Sequence, residues 1–167
     1  MRLDLVLIRH GEAVDAGALG NKDHARILTP RGQRQSLGLG AQLVQAKSLP
    51  SLALVSDAAR TKETWAGATA GAGVALRDTV VAHHRLIYTG AVSDLQSLIE
   101  PVDAARYAVV AMVGHNPGIS ELACDLTSQD LRFSPADCMV LSIQAESWAE
   151  AIGSEGAWEL VASLSPE

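Results

Sequence analysis

Short apolar runs alternate with polar clusters along the chain, and the spacing inside each stretch predicts the elements. Leu3-Asp4-Leu5-Val6-Leu7-Ile8 is almost continuously apolar, as a strand covered on both faces requires. It stops at Arg9-His10-Gly11-Glu12. A polar loop runs on to Leu28, and Thr29-Pro30 then read as the cap and first residue of a helix. Leu37, Ala41 and Val44 keep helical spacing to about Lys47, with Leu39 and Leu43 flanking them. Leu52-Ala53-Leu54-Val55 reads as a second buried strand. Ser56 follows it directly and is expected to cap a helix reaching to about Ala70. Val74–Leu76 reads as a short strand, Leu95–Ile99 as part of a short helix, and Tyr107–Val113 as the third clear strand. Pro117 suits another helix start, with Ile119–Leu126 behind it. Met139–Ile143 and Trp158–Leu164 close the chain as strands. Strands alternating with helices predict an α/β domain with a mostly parallel sheet. At 167 residues one domain over 1–167 is expected.

Composition narrows the class. Apolar residues make up 48% and charged residues 19%, which excludes a disordered or coiled-coil chain. No window approaches the roughly 18 apolar residues of a membrane span, and the first apolar run is too short for a signal peptide. Two cysteines, Cys124 and Cys138, cannot make a disulfide framework. A cytoplasmic protein is the expectation. The net charge of −6 is unevenly spread: residues 133–167 hold six acids and no Lys or Arg. Ten of the 13 basic residues are Arg, a planar fork that matches phosphate or carboxylate. No basic run is dense enough for nucleic acid. These features favour a small anionic group as ligand for the N-terminal half.

The candidate chemistry lies where strands end. Three strands run into polar clusters: Arg9-His10-Gly11-Glu12, Ser56 followed by Arg60, and Gly114-His115-Asn116-Pro117. In open parallel sheets the carboxyl ends share one edge, where ligands bind. Helix N-termini at that edge favour anions. Two arginines and two histidines distant in sequence thus converge on one place.

These residues resemble the histidine phosphatase superfamily, whose best-known branch is the phosphoglycerate mutases. The resemblance rests on Arg9-His10-Gly11-Glu12-Ala13, the Ser56…Arg60…Thr64 spacing and Val113-Gly114-His115-Asn116-Pro117. It spans the chain from the first strand to the last, Trp148 and Trp158 included. The short length and Arg26-Ile27-Leu28-Thr29-Pro30-Arg31-Gly32 look most like the small bacterial phosphohistidine phosphatases. The resemblance implies a three-layer α/β/α sandwich, phosphoglycerate mutase-like, and a phosphatase without cofactor or metal. It implies His10 as nucleophile toward phosphorus, one ring nitrogen fixed by a backbone carbonyl. Arg9, Arg60 and a protonated His115 would hold the phosphoryl oxygens. Gly11 would let the backbone come close.

Other candidates carry two readings each. Arg26 touches phosphate or supports its loop, and Asn116 contacts ligand or caps a helix. Thr64 reads as support. Glu12 is a candidate proton donor or holds an arginine, and His84 is the other candidate donor. His83-His84-Arg85 reads as an exposed loop, where larger relatives often place an acidic donor. No carboxyl group occurs between Val81 and Ala91. That departure suits a leaving group needing little help, such as the imidazole of phosphohistidine. The expected partner is a phosphorylated protein, with a small phosphorylated metabolite or a non-catalytic phosphate-binding role as alternatives. No nucleic acid or membrane partner is expected.

Overall fold

The computed structural model describes residues 1–17 and 22–166. Six strands form one sheet in the order β3-β2-β4-β1-β5-β6. They are β1 (Arg2–Arg9), β2 (Leu52–Ser56), β3 (Val80–His84), β4 (Val109–Gly114), β5 (Cys138–Gln144) and β6 (Glu159–Leu164). The first four in space run parallel, and β5 and β6 are added antiparallel beyond β1. The helices are α1 (Pro30–Gln45), α2 (Ala59–Ala72), α3 (Arg85–Thr89), α4 (Val92–Ile99), α5 (Gly118–Thr127) and α6 (Trp148–Ile152).

The sheet is buried on both sides because alternate residues of its strands supply two cores. Val6, Ile8, Val55, Val113 and Val140 pack with Leu39, Leu43, Trp65 and Ala68 of α1 and α2. Leu5, Leu7, Leu54 and Met112 face the other way, onto Leu95, Ile99, Ile119, Leu122 and Trp148 of the remaining helices. The result is the expected three-layer α/β/α arrangement.

Several local expectations are corrected. Thr29 does cap α1, accepting from the Gly32 N–H, with Pro30 at the first position. The buried face of α1, however, carries Gly32, Gln35, Ser36, Leu39, Gly40 and Leu43, while Leu37 and Val44 are exposed. Small residues sit there because α2 presses close: a side chain on Gly40 would run into the Ala68 carbonyl. Ser56 does not cap α2, which starts three residues later behind Ala58. Val74–Leu76 belongs to a turn of 3-10 helix, 73–76. The strand lies further on, at β3, so His83 and His84 stand on an edge strand and not in a loop. Among the described residues no helix is long and apolar enough to cross a membrane.

Candidate active site

The parallel strands β1, β2 and β4 end side by side, and the predicted residues meet there. The His10 N–H donates to the Gly114 carbonyl of β4 (3.1 Å), and the His10 carbonyl accepts from Ala136 N–H (3.0 Å). The residue is thus clamped on both sides by backbone. Its Nδ1 lies 2.7 Å from the Gly11 carbonyl oxygen. A carbonyl only accepts, so Nδ1 carries the hydrogen and Nε2 keeps its lone pair. The Gly11 N–H donates to Thr64 Oγ1 (2.9 Å), whose hydroxyl donates to the Arg60 carbonyl (2.7 Å). Thr64 therefore supports the site without lining it. At Gly11 a Cβ would stand 2.9 Å from the Gly32 carbonyl oxygen, which is why a glycine occupies the approach to α1.

Arg9, Arg60 and His115 surround this histidine. Arg9 donates to the Phe133 carbonyl through Nη1 (2.9 Å). Arg60, buried near the start of α2, donates from Nη1 to the Asp23 carbonyl (2.7 Å) and pairs Nη2 with Asp23 Oδ2 (3.1 Å). The His115 and His10 ring centroids are 5.3 Å apart. His115 Nε2 lies 2.7 Å from Ser56 Oγ, which already accepts from the Ala58 N–H (3.3 Å). The Ser56 hydroxyl has no other acceptor for its hydrogen among the described residues, so that hydrogen goes to Nε2 and His115 Nδ1 is the protonated nitrogen. Four buried side-chain polar atoms lack a hydrogen-bond partner among the described residues: Arg9 Nε, Arg60 Nε, His115 Nδ1 and Glu12 Oε2. All four belong to residues lining one cleft of about 290 Å³ beside His10. Three are donors, and buried donors left unpaired are rare.

The other candidates fall in or near the same cleft. Arg26 lines it while donating to Asp23 Oδ1 and the Val14 carbonyl, both 2.9 Å. Asn116 lines it too, donating to the Phe133 carbonyl (3.0 Å) and accepting from Ser120 (2.6 Å). Glu12 faces Arg31 at 3.6 Å and stands between this cleft and a neighbouring one of about 320 Å³ that contains neither histidine. His84 is opposite Ser56 in the β2–β3 register, at the same sheet edge but outside the lining. Sequence reasoning assigns nothing to Asp23 or Tyr88. Yet Tyr88 donates to Asp23 Oδ2 (2.7 Å) and sets its ring edge-on to His115, centroids 5.4 Å apart. Their only signal is proximity in sequence to Arg26 and to His84-Arg85. Among the described residues no three His, Cys, Asp or Glu side chains are grouped to hold a metal ion.

Electrostatics correct one expectation. Burial, with Arg60 and Arg9 nearby and against the pull of the Gly11 carbonyl, lowers the His10 pKa to about 4. Burial, His10 and Arg60 lower that of His115 to about 3. His115 is therefore held neutral at pH 7, contrary to the expected protonated ring, and still offers Nδ1–H. In the unfolded chain both rings titrate near 6.5. The unfolded state thus binds more protons as pH falls below about 6.5, and the stability present above that pH is lost progressively towards pH 4. Thermal melts from pH 7.5 to 4.5 should show a shallower decline for His115→Gln than for the unsubstituted protein. Equal slopes would show that the ring is not held neutral.

No protein-family model matches this chain. An uncharacterized chloroplastic protein of Arabidopsis thaliana is 27% identical over 98% of this chain and 78% of its own length. Among solved structures, a SixA chain from Nakamurella multipartitia, assigned as a phosphohistidine phosphatase, is similar at 26% identity. The match has a TM-score of 0.84 and covers 99% of this chain and 97% of that one. The protein histidine phosphatase SixA complexed with tungstate matches at 19% identity and a TM-score of 0.79, covering 98% and 97%. The fold is that of the histidine phosphatase superfamily. Within it, the chain resembles the SixA structures over nearly its whole length.

Proposed function

We propose that this chain is a phosphatase that transfers a phosphoryl group to His10 Nε2 and then to water, with protein-borne phosphohistidine as its substrate class. The observation that carries the reading is the set of three unpartnered donors, Arg9 Nε, Arg60 Nε and His115 Nδ1, on the residues around a histidine whose free nitrogen is fixed. Three donors suit three equatorial oxygens of a phosphoryl group in flight. His10 Nε2 attacks phosphorus, and the bond from phosphorus to the leaving group breaks. That group leaves with the electron pair and takes up a proton from solvent. Water then attacks phosphorus, the P–N bond breaks, Nε2 recovers its lone pair, and the proton lost by the water returns to solvent. The lowered His10 pKa keeps this nitrogen unprotonated at neutral pH. The similarity to a protein histidine phosphatase supports the substrate class.

The charge that a divalent cation neutralises in many phosphoryl transfers is assigned here to arginine and histidine. Hydrolysis of phosphohistidine in a protein, and of phosphoramidate, should continue undiminished in excess chelator. Arg60→Ala should slow it roughly 10²–10³-fold, as for loss of one oxyanion-hole donor. Activity abolished by chelator and restored by Mg²⁺ would overturn the assignment.

A further inference from the structure

Arg9, Arg26 and Arg60 bring three positive charges to one cleft. A carboxylate has been placed directly on two of them. Asp23 Oδ1 accepts from Arg26 Nε at 2.9 Å, and Oδ2 pairs with Arg60 Nη2 at 3.1 Å. Tyr88 also donates to Oδ2, at 2.7 Å, so donors from the 22–26 turn, α2 and α3 converge on this one side chain. In an anion-binding cleft a carboxylate opposes the ligand, so its position calls for a reason. Placement of Arg60 does not require the charge, because Arg60 Nη1 is already held by the Asp23 backbone carbonyl at 2.7 Å. The other acid at the cleft, Glu12, faces Arg31 instead.

We infer that Asp23 is a positioning residue whose charge offsets one of the cleft arginines and weakens the hold on free phosphate, so that the product leaves. With both histidines neutral and Glu12 offset by Arg31, the three arginines and Asp23 sum to two positive charges, the complement of a phosphate dianion. Without Asp23 the cleft would carry three. The donors that act on the phosphoryl group in transit, the Nε of Arg60 and of Arg9 and the Nδ1 of His115, are not the atoms Asp23 engages. Asp23 can therefore lower affinity for the product without occupying the site of transfer. The inference rests on the phosphatase reading given above.

Asn at position 23 keeps an oxygen acceptor and the backbone carbonyl and deletes the charge. Inorganic phosphate titrated into the full chain, read by calorimetry and by the imidazole ¹⁵N shifts, should bind Asp23→Asn roughly tenfold more tightly than the unsubstituted protein. One charge acting on a dianion several ångströms away through screened solvent gives that order. Asp23→Ser, a second way to delete the charge, should move the same way, and Asp23→Glu should stay within about twofold of the unsubstituted protein. In turnover, Asp23→Asn should show stronger product inhibition and a lower kcat with a lower KM. Phosphate binding that is unchanged or weaker in both Asn and Ser variants overturns the inference. The titration needs no catalysis. If the unsubstituted chain hydrolyses nothing but Asp23→Asn still tightens phosphate, the phosphatase reading fails while the charge role of Asp23 stands.

Discussion

Protein quenched during incubation with phosphohistidine substrate should carry a phosphate that is acid-labile, base-stable and located on His10. His10→Ala should carry none, and its turnover should fall roughly 10⁴–10⁶-fold, the scale on which loss of a nucleophile is felt. The size of the effect follows from geometry. The Gly11 carbonyl takes up Nδ1, so Nε2 is the single nitrogen available for attack, and no second nucleophile in the cleft shares that fixed orientation. His115, 5.3 Å away between ring centroids, has its Nε2 lone pair taken up by the Ser56 hydroxyl and its proton on Nδ1, so it offers a donor and no free nitrogen for attack. The substitution should leave the fold intact, because the bonds that clamp residue 10 come from its backbone. Circular dichroism and a thermal melt check that point. An acid-stable adduct, or one that persists in His10→Ala, would remove the nucleophile assignment.

The second large effect concerns the leaving group. Phosphohistidine and aryl phosphates should turn over roughly 10²–10⁴-fold faster than alkyl phosphates, the usual worth of a proton delivered in the transition state. Asp23 and Asp57 lie near the cleft, and both are kept ionised. The Tyr88 hydroxyl bond, with Arg60 and Arg26 beside it, outweighs burial and holds the Asp23 carboxyl at about 2. Burial raises the Asp57 pKa, but the His24 bond and Arg85 outweigh it and leave the group below its ordinary value. Neither delivers a proton near neutral pH. Glu12 and His84 remain as candidate donors, and each gives a separate result. A flat leaving-group dependence that becomes steep in Glu12→Gln or in His84→Ala identifies that residue as the acid. Dependence that is steep in all three proteins supports a phosphoramidate substrate over an alkyl ester.

The legibility of this fold in the sequence tracks burial. β1, β2 and β4 are visible as continuous apolar runs because the sheet buries both of their faces. β3 is hidden because it is an edge strand, with Val80, Val81 and His83 exposed, so Val80-Val81-Ala82-His83-His84 shows neither a run nor a clean alternation. The helical period of α1 is legible but its inner face is not. Contact with α2 selects Ser36 and Gly40, and contact with the Glu12 backbone selects Gly32, none of which hydrophobicity alone reveals. Arg9, His10, Arg60 and His115 can be chosen from sequence because each sits at or just after the end of a readable strand. Asp23 and Tyr88 cannot, since one lies on a turn and the other on a five-residue helix whose placement depends on tertiary packing.

β4 lies between β1 and β2 and pairs with both, Arg9 with Gly114 and Val55 with Val113. During synthesis the ribosome therefore releases His10 about 100 residues ahead of the strand that joins it to Arg60. Until that strand emerges, β1 has no neighbour on either side, because β5 comes later still. Leu3–Ile8 is then an unpaired apolar strand of the kind that associates with other chains. β4 also ends at the residue before His115. The insertion of β4 between β1 and β2 is thus the same event that delivers the second histidine, and a nascent chain cannot bring His10, Arg60 and His115 together before that strand is in place.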